Sequence, residues 1–254
     1  MKEETITSRS NPLMTHLHKL QTSRGYRYAT GEFCADGTKL LQEAITWYPG
    51  LHTVIACEGL PLPPLPEGVR LVRVPQQLME RISTMQTPQG VIFLCHMPKP
   101  KPLALSPGCL ILDGVQDPGN LGTILRTADA FGVPVALCDG CADPYSEKTV
   151  RASMGAVLRT QPQQATAKEI VSYCKAHTIP LAATALSEAS QDLRQAAVGN
   201  WAVLIGSEGQ GVRQSLLEQA DALFKIPMLP RCESLNAAVA ASVVLWEMAR
   251  NTLR

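Results

Sequence analysis

Three polar clusters, far apart along the chain, carry the residue types that ligand binding and catalysis need. The first is Asp113-Gly-Val-Gln-Asp-Pro-Gly-Asn120, followed by Leu-Gly-Thr-Ile-Leu-Arg126. Asp117-Pro118-Gly119 is turn chemistry, and Asn120 is suited to cap a helix. Arg126 sits among Leu125, Ala128 and Phe131, where a guanidinium needs either an acidic partner (Asp113 or Asp129) or a task. The second is Trp201-Ala-Val-Leu-Ile-Gly-Ser-Glu-Gly-Gln-Gly-Val212. Gly206, Gly209 and Gly211 directly follow an apolar run, so backbone there can approach a ligand closely. No Lys-Ser/Thr follows, as a phosphate loop requires, and the glycine spacing is not that of a dinucleotide fingerprint. Glu208 in this turn would repel phosphates and tolerate a cationic ligand. The third is Phe224-Lys-Ile-Pro-Met228 and, after a loop, Ser234-Leu-Asn236 with Ala237, Ala238, Ala240 and Ala241. Ser234 is expected to cap the closing helix, whose alanines leave room for close packing.

The elements that must hold these clusters follow from the apolar pattern. After the proline run 97–103, strands are expected at 109–112, 133–137, 181–184, 202–205 and 223–226. Helices are expected at 121–131, 147–154, 167–177, 212–219 and 235–251. Strands alternating with helices imply a mostly parallel sheet covered on both faces, and ligands collect beyond the carboxyl ends of such strands. Before the proline run, strands at 32–35, 53–56, 70–74 and 91–95 alternate with helices from Asn11, at 38–47 and at 76–82. The fold class is therefore α/β. The expected division is a small α/β domain at 1–97, a proline-rich linker at 98–107 and a second, larger α/β domain at 108–254.

Composition narrows the setting. Hydrophobic residues are 45% and charged residues 18% of 254, enough for a sizeable core without disulfides. Eight cysteines lie mostly in apolar runs, and Cys138-Asp-Gly-Cys141 lacks the second pair a zinc site would need, so no metal is expected. The start MKEETITSRSN has early acids and no apolar core of a leader, and no run matches a membrane span; a cytoplasmic protein is expected. Residues 1–102 carry eleven Lys+Arg against eight Asp+Glu, whereas the rest carries twelve against fourteen. Arg9, Lys19, Arg24 and Arg27, with Asn11 nearby and Tyr26 and Tyr28 interleaved, suit phosphates and stacked bases.

The ordered trio Asn120 to Arg126 with Ala128-Asp-Ala-Phe-Gly132, Ile205-Gly-Ser-Glu-Gly-Gln-Gly211, and Ile226-Pro-Met with Ser234-Leu-Asn236 resembles the SpoU-like (TrmH) family of SPOUT methyltransferases. The Ser8–Asn11 start and the 31–39 stretch are similar to the RNA-binding module that precedes the catalytic domain in ribosomal RNA enzymes of that family. The resemblance implies a trefoil knot in the C-terminal segment, a homodimer with its sites near the interface, and S-adenosylmethionine as cofactor. Carried over, the cofactor positions are Gly206, Ile226 and Leu235, with Thr184, Ala185 and Gly211. The implied reaction is 2′-O-methylation of ribose in structured RNA, with ribosomal RNA ahead of transfer RNA. Asn120, Arg126, Glu208, Ser234 and Asn236 are the expected catalytic set. Arg126 is expected to orient the ribose or a phosphate and stabilise the developing alkoxide, because a guanidinium keeps its proton at ordinary pH, while Glu208 takes the hydroxyl proton. A catalytically silent RNA-binding protein of the same fold and an NAD-dependent α/β enzyme are the rival readings. The intact polar set and the missing early glycine fingerprint disfavour them.

Overall fold

The computed structural model describes residues 3–229, 231–232 and 234–251. Its strands are β1 (Glu3–Thr5), β2 (Glu32–Asp36), β3 (Leu51–Cys57), β4 (Arg70–Val74), β5 (Val91–His96), β6 (Leu110–Asp113), β7 (Val135–Leu137), β8 (Gln163–Gln164), β9 (Leu181–Thr184), β10 (Gln191–Asp192), β11 (Ala202–Gly206) and β12 (Ala222–Lys225). Its helices are α1 (Pro12–Thr22), α2 (Arg24–Thr30), α3 (Thr38–Trp47), α4 (Gln76–Ile82), α5 (Pro118–Phe131), α6 (Glu147–Ala152), α7 (Ala156–Thr160), α8 (Ala167–Ala176), α9 (Gln214–Leu217) and α10 (Ala237–Ala249). Among the described residues, no helix is long and apolar enough to cross a membrane.

Two compact units form. One comprises residues up to Lys99 together with Tyr145–Arg159; the other comprises Pro100–Pro144 and the chain from Thr160 onward. The division at 99/100 falls inside the proline run. Residues 145–159, expected in the second unit, pack with the first instead.

In the first unit the sheet order is β1-β4-β3-β5-β2. The strands β1, β4 and β3 run parallel, whereas β5 pairs antiparallel with both β3 and β2. Leu17, Leu20, Ile55, Val72, Met79, Ile92 and Leu94 close one core beside this sheet. Burying each such side chain is worth about 1.5–3 kcal/mol before chain entropy is counted. The segment 145–159 joins through side chains: Tyr145 packs on the fully buried Phe33, Thr84 donates to Glu147, and Arg159 pairs with Glu43. The edge strand β1 was not legible, because three polar residues show no alternation of their own and gain a strand only by pairing with β4.

In the second unit the order is β10-β12-β9-β11-β6-β7-β8, and every pair is parallel. The strands β6, β9 and β11 read as near-continuous apolar runs because both faces are covered. Two helix starts differ from expectation. Pro118 fills the first turn of α5, so the cap is Asp117, whose Oδ1 accepts from Asn120 N at 2.7 Å. This leaves the Asn120 side chain available. The helix α10 begins at Ala237, so its cap is Asn236, not Ser234; the Asn236 Oδ1 accepts from Ala238 N at 2.9 Å and Val239 N at 3.3 Å. The helix expected at 212–219 is only the single turn of α9.

Candidate active site

Chain segments leaving the carboxyl ends of β9, β11 and β12 converge on a cavity of about 290 Å³. Thr184 and Ala185 follow β9; Gly206, Ser207, Glu208 and Gly211 belong to the β11 turn; Ile226 and Met228 follow β12; Ser234 and Leu235 precede α10. Thr184 Oγ1 donates to Leu204 O at 3.1 Å and Ala185 N donates to Phe224 O at 2.9 Å, which ties neighbouring strand ends together under the cavity. The β11 turn folds back on itself: Gly211 N donates to Ser207 O at 2.9 Å, with Gly211 at φ 65°. That return explains Gly206. A Cβ on it would lie 1.8 Å from Gly211 C and 2.1 Å from Val212 N, so any side chain is excluded by backbone.

Beside the cavity three polar side chains form a chain of hydrogen bonds. Asn236 Nδ2 donates to Asn120 Oδ1 at 3.1 Å, and Asn120 Nδ2 donates to the Glu208 carboxylate. The first turn of α5, the β11 turn and the cap of α10 are thus joined through residues 120, 208 and 236. All six expected cofactor positions line the cavity, as do Glu208 and Ser234 of the expected catalytic set. Arg126 is not brought in. It lies on the exposed face of α5, outside the lining, with no hydrogen bond or ion pair among the described residues. Neither acid considered from sequence serves it, since Asp113 is engaged elsewhere.

Its partner is Arg213, which sequence reasoning missed. Arg213 Nε donates to Asp113 Oδ1 at 2.6 Å, its backbone N donates to Asp113 Oδ2 at 2.8 Å, and Nη1 reaches Asp139 Oδ2 at 2.8 Å. Asp113 is buried, so this guanidinium compensates a carboxylate that would otherwise be stranded. The hydrogen bonds to Asp113 first, then to Asp139, push the Arg213 guanidinium above its ordinary value, and Arg213 in turn holds the Asp139 carboxyl below its own. The clamp fixes the ends of β6 and β7 to the residues just after the glycine turn. Two acids directly following adjacent buried strands were the available signal. Nearby, burial raises the Cys138 thiol to about 12 and also raises Cys141, which fits small apolar side chains and not a redox pair.

In the first unit the expected RNA-facing residues divide. Arg9, Lys19 and Arg24 are exposed; Lys19 lies 5.3 Å over the Tyr26 ring and Arg24 5.3 Å over Tyr28. Arg27 is 4% exposed and its Nη1 donates to Leu20 O at 2.6 Å, so it does not belong to this surface. Asn11 caps α1 by accepting from Leu13 N at 2.9 Å, which is a structural role.

Residues 107–246 match the SpoU rRNA Methylase family, and residues 11–92 match the MRM3-like substrate binding domain. The 23S rRNA (guanosine(2553)-2′-O)-methyltransferase RlmP of Bacillus subtilis is 33% identical over 248 residues, covering 96% of this chain and 98% of that protein. Among solved structures, an AdoMet-bound rRNA methyltransferase from Sinorhizobium meliloti superposes with TM-score 0.87 at 30% identity, covering 99% of each chain. An RNA 2′-O ribose methyltransferase superposes with TM-score 0.80 at 30% identity, covering 98% of this chain and 100% of that one. The likeness runs through both units and includes every loop that lines the cavity, and the chain belongs to the SpoU rRNA methylase family.

Proposed function

We propose that this protein transfers the methyl group of S-adenosylmethionine to a ribose 2′-hydroxyl of ribosomal RNA, in the cytoplasm and as a homodimer. One observation carries the reading: the cavity at the ends of β9, β11 and β12 directly adjoins the linked side chains of Asn120, Glu208 and Asn236.

The cavity suits the cofactor chemically. Ala185, Leu186, Ile226 and Leu235 offer apolar surface, and the bare backbone of Gly206 permits close approach. Among the described residues its charged lining is one acid, Glu208, and one base, Lys225, which is no cradle for a polyphosphate. Thr184, Ala185, Gly206, Gly211, Ile226 and Leu235 would hold the cofactor, whose sulfonium supplies an activated methyl.

The chain's own work is to align and deprotonate a weakly acidic hydroxyl. Asn236 fixes the Asn120 amide, and Asn120 fixes the Glu208 carboxylate, which keeps acceptor capacity for the hydroxyl proton, directly or through water. Ser234 adds a hydroxyl at the rim. Arg126 supplies positive charge for the ribose oxygen or an adjacent phosphate.

The supply of Arg126 motivates the dimer. Helix α10 packs on α5, with the Phe131 and Trp246 rings 5.8 Å apart, yet it leaves Val239, Val243 and Trp246 exposed at 50%, 36% and 51%. These residues line a second cavity of about 510 Å³ together with Asn120, Thr123 and Asn236. A second copy covering this apolar face would meet it with the same face, since two-fold interfaces are isologous. Arg126 on the neighbouring exposed turn of α5 would then serve the partner's cavity. Membership of this family extends the proposal to a trefoil knot in the C-terminal segment. Arg9, Lys19 and Arg24 add phosphate contacts away from the reacting ribose.

The test is methyl incorporation from labelled S-adenosylmethionine into ribosomal and transfer RNA from cells lacking the protein. Label in ribosomal RNA supports the reading. Label confined to transfer RNA moves the substrate, and none in either with cofactor bound revives the silent RNA-binding alternative.

A further inference from the structure

The first unit contains a cluster that methyl transfer does not use. Glu32 at the start of β2 stands opposite His96 at the end of β5 in the antiparallel register. His52 lies in β3 at a break in the pairing with β5: Leu51 stands opposite Cys95 but Thr53 opposite Leu94, so His52 is the extra residue of a bulge. Bulges re-aim side chains, and this one brings His52 to Glu32 and His96. His52 Nε2 is 3.3 Å from Glu32 Oε1, and His96 Nδ1 is 3.6 Å from the same oxygen. The three ligand atoms all lie within 4.8 Å of one another.

We propose that Glu32, His52 and His96 form a site for a divalent transition cation, zinc foremost, that cross-links the adjacent strands β3, β5 and β2. A tetrahedral zinc with ligands at about 2.0–2.1 Å places neighbouring ligand atoms about 3.3–3.4 Å apart. The two nitrogen–oxygen separations at Glu32 Oε1 are near that edge length. Two imidazoles and one carboxylate suit zinc better than calcium or magnesium, which prefer all-oxygen shells.

The surroundings resemble a metal site's outer shell. His52 Nδ1 lies 3.0 Å from Thr53 Oγ1, so its ring is oriented with Nε2 toward the cluster. That Nε2 is buried and has no hydrogen-bond partner. The second carboxylate oxygen of Glu32 is held by His16 Nε2 at 2.8 Å, and His16 Nδ1 meets Tyr26 Oη at 2.9 Å. The His52 and His96 rings stack with centroids 4.2 Å apart, so cation binding turns the exposed His96 ring until both ring planes meet at the ion. Cysteine spacing along the chain was the signal weighed for a metal in the sequence; these ligands come from three strands and show no such spacing. The remaining coordination position is left for water.

The experiment titrates zinc into metal-free, full-length protein carrying Cys232→Ser, which removes the exposed thiol as a competitor. Cobalt substitution reads the geometry through its tetrahedral visible absorption. One equivalent of zinc is expected, with tenfold or greater loss of affinity in His52→Ala and in His96→Gln. His96 has a side chain 61% exposed, so its variant folds even if His52→Ala does not. Melting in metal-free buffer checks that both variants remain folded. No zinc binding by the parent protein, or binding unchanged in His96→Gln, overturns the assignment. Cobalt spectra of octahedral type overturn the tetrahedral geometry and with it the choice of zinc.

Discussion

Arg213 Nε donates to the buried Asp113 Oδ1 at 2.6 Å, and this one pair ties the end of β6 to the exit of the glycine turn that lines the cavity. Arg213→Met leaves a buried carboxylate without its cation. Breaking a fully buried pair costs about 3–5 kcal/mol; with the guanidinium 34% exposed, about 2–3 kcal/mol is expected here. Urea denaturation measures it, and cofactor affinity falls with it as the turn loosens. A loss below about 0.5 kcal/mol would remove the clamp from the account.

Gly206 and Gly209 share one turn and differ in what a side chain would meet. A Cβ at 206 collides with the Gly211–Val212 backbone, whereas at 209 nothing lies within 4 Å. The block is therefore to closure of the turn, not the filling of cofactor space. Gly206→Ala is expected to lower S-adenosylmethionine affinity at least tenfold by calorimetry, and Gly209→Ala to change it less than twofold. Equal affinities in the two variants would contradict this.

What the sequence disclosed follows its physics. Buried parallel strands announced themselves as apolar runs, and the residues at their ends supplied the cavity: Gly206, Ile226 and Leu235 meet although 29 positions separate the first from the last. Local competition decided the misses. Pro118 shifted a cap from Asn120 to Asp117, and the Asn236 amide outdid Ser234 at α10. Arg27 looked like a phosphate ligand because its charge was visible, whereas its burial and its hydrogen bond to the Leu20 carbonyl were not. Asp113 and Asp139 at the ends of buried strands signalled a cation, but its identity as Arg213 was hidden because the two acids lie 100 and 74 positions from it. The segment 145–159 reads like any αβ connection; only packing places it with the first sheet.

Asp36 gives the first unit a pH signature. Burial raises its carboxyl to about 6 against the lowering by the Ser83 hydrogen bond, with Glu147 raising and Arg151 lowering it further. The folded state then holds the proton more tightly than the unfolded chain. The contribution of Asp36 to stability is greatest below about pH 4, falls as pH rises toward about 6, and levels above it, a change on the order of 2–3 kcal/mol. Asp36→Asn keeps an acceptor for Ser83. It is expected to flatten this slope and to stabilise the protein near neutral pH, as read by denaturation across the range. An unchanged slope would exclude Asp36 as its source.

Arg126 and Asn236 test the dimer together. Arg126→Ala removes the exposed guanidinium, while Asn236→Asp keeps the α10 cap and removes the donor to Asn120. Each variant alone is expected to lose about 10²–10³ in kcat. If Arg126 acts on the partner's cavity, mixing the two chains after unfolding restores roughly a quarter of wild-type activity, because half the dimers are mixed and each holds one whole site. No recovery would return Arg126 to its own chain or remove it from the reaction.

The most direct measurement is where the methyl group ends up. Ribosomal RNA labelled by this protein is digested with alkali, which cleaves only beside a free 2′-hydroxyl. The account predicts that the label survives in an alkali-resistant dinucleotide at one position. Label released with an ordinary mononucleotide, as a methylated base would be, contradicts it.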